Sequence, residues 1–413
     1  MIERTEYMDM LKKWQGEKVI KVVTGLRRCG KSTLLNMFQQ YLMNSGMDAS
    51  QIISVNLEAL EYESLLSYQA LYQYIIKKLR PDAMNYVFLD EVQMVDQFQK
   101  AVDSLYIRDN VDVYITGSNA YLLSGELATL LSGRYVEIRM LPFSFQEYCA
   151  RKAEGDKEQL FAEYLRYGGL PYIVSMSAPE EKAEAYLEGI YNTIIIKDIE
   201  ARQARKESDP NRRKVTDLVL LRNIARFAAN SIGSPVSVKS IADYITSTGR
   251  KTSVNTVNDY LEALIEPYIF YPAERYDVAG RQLLKQNRKL YIVDLGLRRH
   301  LVARQNYDLG YSLENTVYLE LLRRGYEVYV GKVGSKEVDF VTRHGDDIRY
   351  YQVTASMMEQ STFNREMDAL KAITDNYPKT VLTLDRLTLG NYGGIRVVNA
   401  IDWLLSEGET VSE

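Results

Sequence analysis

The sequence predicts an α/β fold whose first third is a parallel sheet covered by helices on both faces. Three observations predict it. Apolar runs suited to strands alternate with helix-period segments from Val19 to Thr116, and such alternation needs crossover helices, hence parallel pairing. Between the first run and its helix lies Gly25-Leu-Arg-Arg-Cys-Gly30-Lys31-Ser32, the G-x-x-x-x-G-K-[ST] pattern of a phosphate-binding P-loop. Gly25, Asp90 and Ser118 all fall where strands end, and open parallel sheets hold ligands at the carboxyl ends of their strands.

In chain order, Tyr7 to Trp14 places apolar residues at Met10, Leu11 and Trp14, a short amphipathic helix that packs on the sheet or shares in enclosing a base. The strand beginning at Val19 leads into the loop. There the backbone N–H groups of Leu26, Arg27, Arg28, Cys29, Gly30 and Lys31 curl around a polyphosphate. The helix opening at Ser32 and Thr33 points its positive end at the same charge. Lys31 supplies an ammonium for the terminal phosphates, and the Ser32 hydroxyl is a hard oxygen ligand for Mg²⁺. That helix runs from Leu34 to Met43 and stops at Asn44-Ser-Gly46. A strand at 52–57 and a helix from Tyr68 to Leu79, closed by Pro81, follow.

Tyr86-Val-Phe-Leu-Asp90-Glu91 is an apolar strand ending in two carboxylates. Asp90 holds the magnesium, directly or through water, and Glu91 orients or deprotonates the attacking water. After a helix from about Asp96 to Tyr106, the strand Val111–Thr116 leads into Gly117-Ser118-Asn119. Thr116, Ser118 and Asn119 are placed to distinguish triphosphate from diphosphate; the alternative is a turn using Gly and Asn for local geometry. Arg134 precedes the strand Tyr135–Ile138. Two accounts stand for it: an arginine finger, in its own subunit or a neighbour's, or a surface ion pair.

From Phe143 to Glu200 the pattern is helical, broken at Gly168-Gly169-Leu170-Pro171, and is read as a lid on the nucleotide site. Arg202 to Lys214 carries six basic residues against Glu207 and Asp209, a solvated run at a domain boundary. Three short helices follow, at 218–229, 237–245 and 253–266, each opening on a Ser or Asp cap. The strands Tyr268–Tyr271 and Lys289–Val293 then alternate like a hairpin, with Arg275, Arg281, Lys285, Arg288 and Lys289 as a basic stretch. Three helices and a hairpin make a winged helix-turn-helix. Asn255, Asn258 and Asp259 on its third helix are poor in positive charge for major-groove reading. DNA contact and a protein-contact or spacer role are therefore both open. The last segment is a helix from Leu313 to Arg324, strands at 326–330, 338–341 and 348–353, a helix at 359–374 and a strand at 381–384.

Composition narrows the class. At 413 residues the chain is too long for one core. Its 46% hydrophobic and 26% charged residues fit a soluble globular protein. No apolar run reaches the length of a membrane span, and a charged N-terminus does not suit a secretory signal. Two cysteines and two histidines make neither a disulfide framework nor a zinc site, so a cytoplasmic location is expected. A net charge of −4 confines any nucleic-acid contact to local patches.

With these pieces placed, the sequence resembles the AAA-type prokaryotic ATPases that carry a C-terminal restriction-nuclease-like domain. The resemblance rests on Phe88-Leu-Asp90-Glu91-Val-Gln93, Thr116-Gly-Ser-Asn119, Ser132-Gly-Arg134 and Leu141-Pro-Phe-Ser-Phe-Gln-Glu-Tyr148, and further on Tyr167–Pro171, Ile196-Lys-Asp198-Ile and Tyr291-Ile-Val-Asp294-Leu-Gly-Leu297. It implies ATP as the nucleotide, Mg²⁺ as its partner, and four domains: an ATPase core over 1–142, a helical lid over 143–205, a winged helix over 206–300 and a nuclease-like α/β domain over 301–413. Homo-oligomers, an unidentified protein partner and DNA are the partner classes left open. The tail departs from an active nuclease. Asp339 holds the first acidic position, with Glu314 as a further group, but Gln352-Val-Thr354 replaces Glu-x-Lys, removing one carboxylate and the cation that aids the attacking water. Catalytic degeneracy is expected.

Overall fold

The structure is a computed structural model and describes residues 2–118, 131, 133–152, 155–177, 179–193, 215, 217–302 and 308–406. The chain forms two compact units. One comprises Met1–Pro142 with Glu266–Tyr268, the other Phe143–Ile265 with Ile269–Glu413. Among the described residues no helix is long and apolar enough to cross a membrane.

The first unit is built on five parallel strands. Its elements are α1 (Thr5–Lys13), β1 (Ile20–Thr24), α2 (Lys31–Asn44), β2 (Ile52–Asn56), α3 (Tyr68–Ile76), β3 (Asn85–Asp90), α4 (Phe98–Tyr106), β4 (Val111–Gly117) and β5 (Tyr135–Arg139). The sheet order is β2-β3-β4-β1-β5, and every pairing is parallel. β1 and β4 are buried at every position, as a central strand covered on both faces must be. The apolar alternation predicted this sheet but not its order. β4 lies between β1 and β3, so Thr116 pairs with Val23 on one side and stands beside the end of β3 on the other. Two expected helix ends move inward. α3 stops at Ile76, because Lys78 N–H turns back to the Ile75 carbonyl in a tighter bond. α4 starts at Phe98, because Asp96 N–H donates to the Leu66 carbonyl and Gln97 takes a left-handed φ of 51°.

The second unit opens with α5 (Phe145–Lys152), α6 (Lys157–Tyr167), the single turn α7 (Pro171–Val174) and α8 (Pro179–Thr193). Next come α9 (Leu218–Asn230), β6 (Pro235–Val236), α10 (Val238–Ser247), α11 (Val254–Ile265), β7 (Phe270–Asp277) and β8 (Gln282–Ile292). α12 (Leu295–Leu301), α13 (Leu309–Arg323), β9 (Glu327–Val333), β10 (Lys336–His344), β11 (Asp347–Thr354), α14 (Gln360–Lys371), β12 (Lys379–Thr383), β13 (Gly390–Tyr392), β14 (Ile395–Asn399) and α15 (Ala400–Leu405) complete it. Asp217, Ser237 and Ser253 accept backbone N–H bonds at the starts of α9, α10 and α11, each satisfying one donor that a helix end leaves unpaired.

The hairpin is longer than its sequence pattern indicated and does not stand alone. A mixed nine-stranded sheet runs β13-β14-β12-β11-β10-β9-β7-β8-β6, and β7 pairs in parallel with β9 through Arg275–Asp277. Residues from the 206–300 and 301–413 segments therefore share one sheet. The basic run at 202–214 and Ile196–Ile199 lie outside the described residues.

Candidate functional site

The buried strand β1 delivers the chain into a loop that only unusual backbone geometry allows. Gly25 has φ 142°, and a Cβ there would lie 2.1 Å from the Met140 carbonyl oxygen. Gly30 caps α2 with φ 107°, and Arg28 between them has φ 63°. These left-handed positions turn the loop back on itself ahead of the helix. Lys31 is only 4% exposed. Its Nζ donates to the carbonyls of Gly25 at 3.1 Å and Leu26 at 3.2 Å, and lies 3.6 Å from Glu91 Oε1. Ser32 and Thr33 are exposed on the first turn of α2, and Cys29 is buried, which pushes its thiol up despite the Lys31 and Arg4 charges nearby. Arg27 is ion-paired with Glu58.

Opposite the loop, one hydroxyl organises the two carboxylates. Thr116 Oγ1 donates to Asp90 Oδ1 at 2.5 Å and accepts from the Glu91 N–H at 2.8 Å. Glu91, with φ 52°, is turned toward Lys31. Its Oε2 accepts from Ser118 Oγ at 3.1 Å and from the Gln93 side-chain amide. Burial would raise the Glu91 carboxyl, but Lys31, Gln93, Arg27 and Ser118 outweigh it and hold it below the usual range. The loop, Lys31, Ser32, Asp90, Thr116, Glu91 and Ser118 are thus brought together at the carboxyl ends of β1, β3 and β4.

Two expected site residues are not among them. Asn119 lies outside the described residues. Arg134 lies at the other end of the sheet, where its carbonyl accepts from Ile20 N–H at the start of β1. Five residues of strand separate that end from Gly25, about 16 Å at ~3.3 Å per residue. Its guanidinium pairs with Asp103 and lies 5.6 Å from the Tyr106 ring centroid. A finger toward its own chain's site is therefore corrected to a surface ion pair; the same rule that placed Asp90 at a strand's carboxyl end puts Arg134 at an amino end. Gln93 was missed. Its amide reaches Glu91 and its Oε1 has no hydrogen-bond partner among the described residues. Its place two residues after Glu91 was the available signal.

A second charged cluster lies in the second unit. Lys289, from the basic stretch of the hairpin, is 3% exposed. Its Nζ lies 3.0 Å from Glu314, 3.0 Å from Glu337 and 3.8 Å from Asp339. A lysine from β8 therefore stands among the carboxylates of α13 and β10. Gln352 Oε1 accepts from Asp339 N–H, and Asp339 Oδ2 accepts from Val353 N–H. Burial, then the Glu314 charge, pushes Asp339 up against the pull of Lys289. Among the described residues no group of three or more His, Cys, Asp or Glu side chains is placed to hold a metal ion. Beside the cluster lies a cavity of about 490 Å³ lined by Glu337, Asp339, Gln352, Arg365 and Glu366.

Two further hairpin cations are engaged, Arg275 with Glu337 and Arg288 with Glu262, while Arg281 is exposed. Arg250, ahead of α11, pairs with Asp217. Nothing is described of the Lys285 side chain.

The nucleotide-site residues fit a phosphate chain and a divalent cation. Lys31 already satisfies carbonyl oxygens that anionic oxygens would replace, and the half-buried Asp90 and exposed Ser32 supply the hard oxygen ligands that a divalent cation takes. The family description "AAA domain" matches residues 17–149, and "Domain of unknown function (DUF8612)" matches residues 158–308. An uncharacterised protein of Haemophilus influenzae is 40% identical over 411 residues, covering 98% of this chain and 99% of its own length. An uncharacterised protein of Methanocaldococcus jannaschii is 28% identical over 400 residues, covering 90% of this chain and 81% of its own. Among solved structures, a Walker-type ATPase of Pyrococcus abyssi has 15% identity and a TM-score of 0.49, over 73% of this chain and 96% of that one.

Proposed function

We propose that this chain, which belongs to one family with the Haemophilus influenzae protein and carries an AAA domain at residues 17–149, binds ATP with Mg²⁺ and hydrolyses it. The observation that carries this reading is the meeting of Lys31, Asp90, Thr116 and Glu91 at adjacent strand ends. Lys31 and the loop N–H groups from Leu26 to Lys31 would hold the phosphates, and Ser32 and Asp90 the Mg²⁺. The metal, when bound, would neutralise charge developing on the phosphate oxygens. Thr116 keeps Asp90 and the Glu91 backbone in register. Glu91 Oε1 and Oε2, once Lys31 turns from them toward phosphate, orient a water and accept its proton; Ser118 and Gln93 hold that carboxylate in place.

Hydrolysis would switch the arrangement of the winged-helix and nuclease-like segments, since a nucleotide state shifts an equilibrium only where it binds two arrangements differently. The nuclease-like segment is read as a non-cleaving domain because Gln352 and Thr354 replace its carboxylate and cation, while Lys289 ties up those carboxylates that are present. The rival reading, a nucleotide-regulated DNA-binding protein, rests on the basic patches at 202–214 and 275–289; in the second, Lys289 is buried and Arg275 and Arg288 are ion-paired, while Arg281 is exposed. Phosphate release decides the main reading. Wild type should turn over ATP, while Lys31→Ala and Glu91→Gln fall by about 100-fold or more, Glu91→Gln retaining nucleotide. Equal, negligible release from all three with no ATP binding rejects it.

A further inference from the structure

The segment ahead of the sheet does more than pack. Arg4 is a buried guanidinium, 3% exposed, with a fork spanning two backbone carbonyls far apart in sequence. Nη1 donates to the Cys29 carbonyl at 3.3 Å, and Nη2 donates to the Leu141 carbonyl at 2.8 Å. The neighbouring peptide group of Leu141 is held from its other side, its N–H donating to Tyr7 Oη at 3.0 Å. Arg4 stacks over the Tyr7 ring at 4.8 Å. Residues 140–141 are in turn the surface against which the loop opens. Met140 N–H donates to the Thr24 carbonyl at 2.8 Å, and its carbonyl is the group that forbids a side chain at Gly25.

We propose that Arg4 is a positioning residue for the phosphate cradle, holding the Cys29 carbonyl outward so that the Gly30 N–H faces the bound phosphates. The step is stereochemical. A trans peptide is planar, so its C=O and N–H point in opposite directions; anchoring the Cys29 oxygen on Arg4 fixes the Gly30 N–H on the far side. The loop needs such an anchor. The Gly25 and Leu26 carbonyls already face Lys31, and Gly30, at φ 107°, has the freedom to let a third carbonyl swing in among the anionic oxygens. A charge-assisted bond from a buried guanidinium removes that freedom. Because Arg4 also grips Leu141, the loop's far end is tied to the stretch against which its first glycine rests.

This rests on the ATP-binding reading, and the experiment separates the two. Steady-state phosphate release and calorimetric ATP binding are measured for the full chain and for Arg4→Met, Arg4→Lys and Tyr7→Phe. Loss of one charged hydrogen bond at the cradle should raise KM and Kd for ATP by about tenfold in Arg4→Met, with kcat within about twofold since Glu91 is untouched. Arg4→Lys keeps the charge but cannot span both carbonyls, so it should also weaken ATP binding while folding normally. Tyr7→Phe removes the bond to Leu141 N–H and leaves the Cys29 bond, and should bind ATP like wild type. ATP affinity unchanged in Arg4→Lys and Arg4→Met, or Tyr7→Phe weakened as much as they are, overturns the clamp alone. A wild-type protein that binds no ATP overturns the nucleotide site and the clamp with it.

Discussion

Thr116 is the residue on which both acidic groups depend. Its hydroxyl is a donor to Asp90 and an acceptor from Glu91 N–H, and the side chain is fully buried. Thr116→Val keeps the volume and removes both bonds, leaving a buried N–H unpaired at a cost of about 1–3 kcal/mol. Stability to urea should drop by that amount, and turnover should need several-fold more Mg²⁺ as Asp90 loses its tether. An unchanged Mg²⁺ titration would show that Asp90 is held by something else. Glu91 makes a separate prediction through pH. Its folded carboxyl lies below the ordinary 4.5, so its stabilising share is complete above 4.5 and is lost as pH falls through the lower folded value. Wild type should therefore lose more stability than Glu91→Gln on acidification below pH 4.5, measured by denaturation at each pH. Parallel curves would mean that Lys31 contributes nothing to the carboxylate in the folded state.

At the scale of elements, Asp294 is the capping residue of α12 and also the anchor of the break between α6 and α7. Its Oδ1 accepts from Leu297 N–H at 3.1 Å and its Oδ2 from Gly169 N–H at 2.7 Å. A Cβ at Gly168 would fall 2.2 Å from that carboxylate, which explains why glycine stands there. The Gly-Gly-Leu-Pro break was legible in the sequence, but its partner 125 residues away was not, because a cap pattern announces its own helix and nothing beyond it. The same limit hid Lys289: a lysine after Arg288 reads as a surface charge, and it takes the packing of α13 on β8 and the pairing of β7 with β9 to bring Glu314 and Glu337 to it. By contrast the P-loop, Asp90 and Glu91 were legible, since their chemistry is set by local spacing and by the ends of apolar runs. Asp294→Ala should cost about 2 kcal/mol or more, a lost cap plus an unpaired buried N–H. Burial pushes its carboxyl up to about 6 from 3.8 against the pull of Gly169, Leu297, Gly296 and Leu170 N–H. The stability linked to its protonation is thus whole below 3.8 and gone once pH has risen through about 6. Asp294→Asn should flatten the stability profile across that interval; a profile identical to wild type would place the titration elsewhere.

For the whole molecule, the nine-stranded sheet in the second unit sets what the tail is for. A hairpin contributed by one segment and strands contributed by the next are joined by β7–β9 pairing, and the lysine at the join is surrounded by carboxylates from α13 and β10. Burying a cation with these partners is weak evidence for added stability, but removing one partner leaves the others uncompensated. Lys289→Met should therefore destabilise the folded chain by about 3–5 kcal/mol, read as a shift in the urea midpoint. Glu314, whose Oε1 also accepts from Tyr291 Oη at 2.6 Å, is the partner to test with it. If the cluster is an internal ionic joint, Lys289→Met combined with Glu314→Gln should cost clearly less than the sum of the two single variants, because the second change removes the charge that the first one strands. Strict additivity would mean that the ammonium and the carboxylate act independently and that the join is held by backbone pairing and apolar packing alone. The same series separates a joint from a reaction centre. A joint predicts that stability follows the charge balance in all three variants while phosphate release by the first unit keeps its KM for ATP. A loss of ATP affinity in the single variants would instead make this cluster part of what the nucleotide site senses.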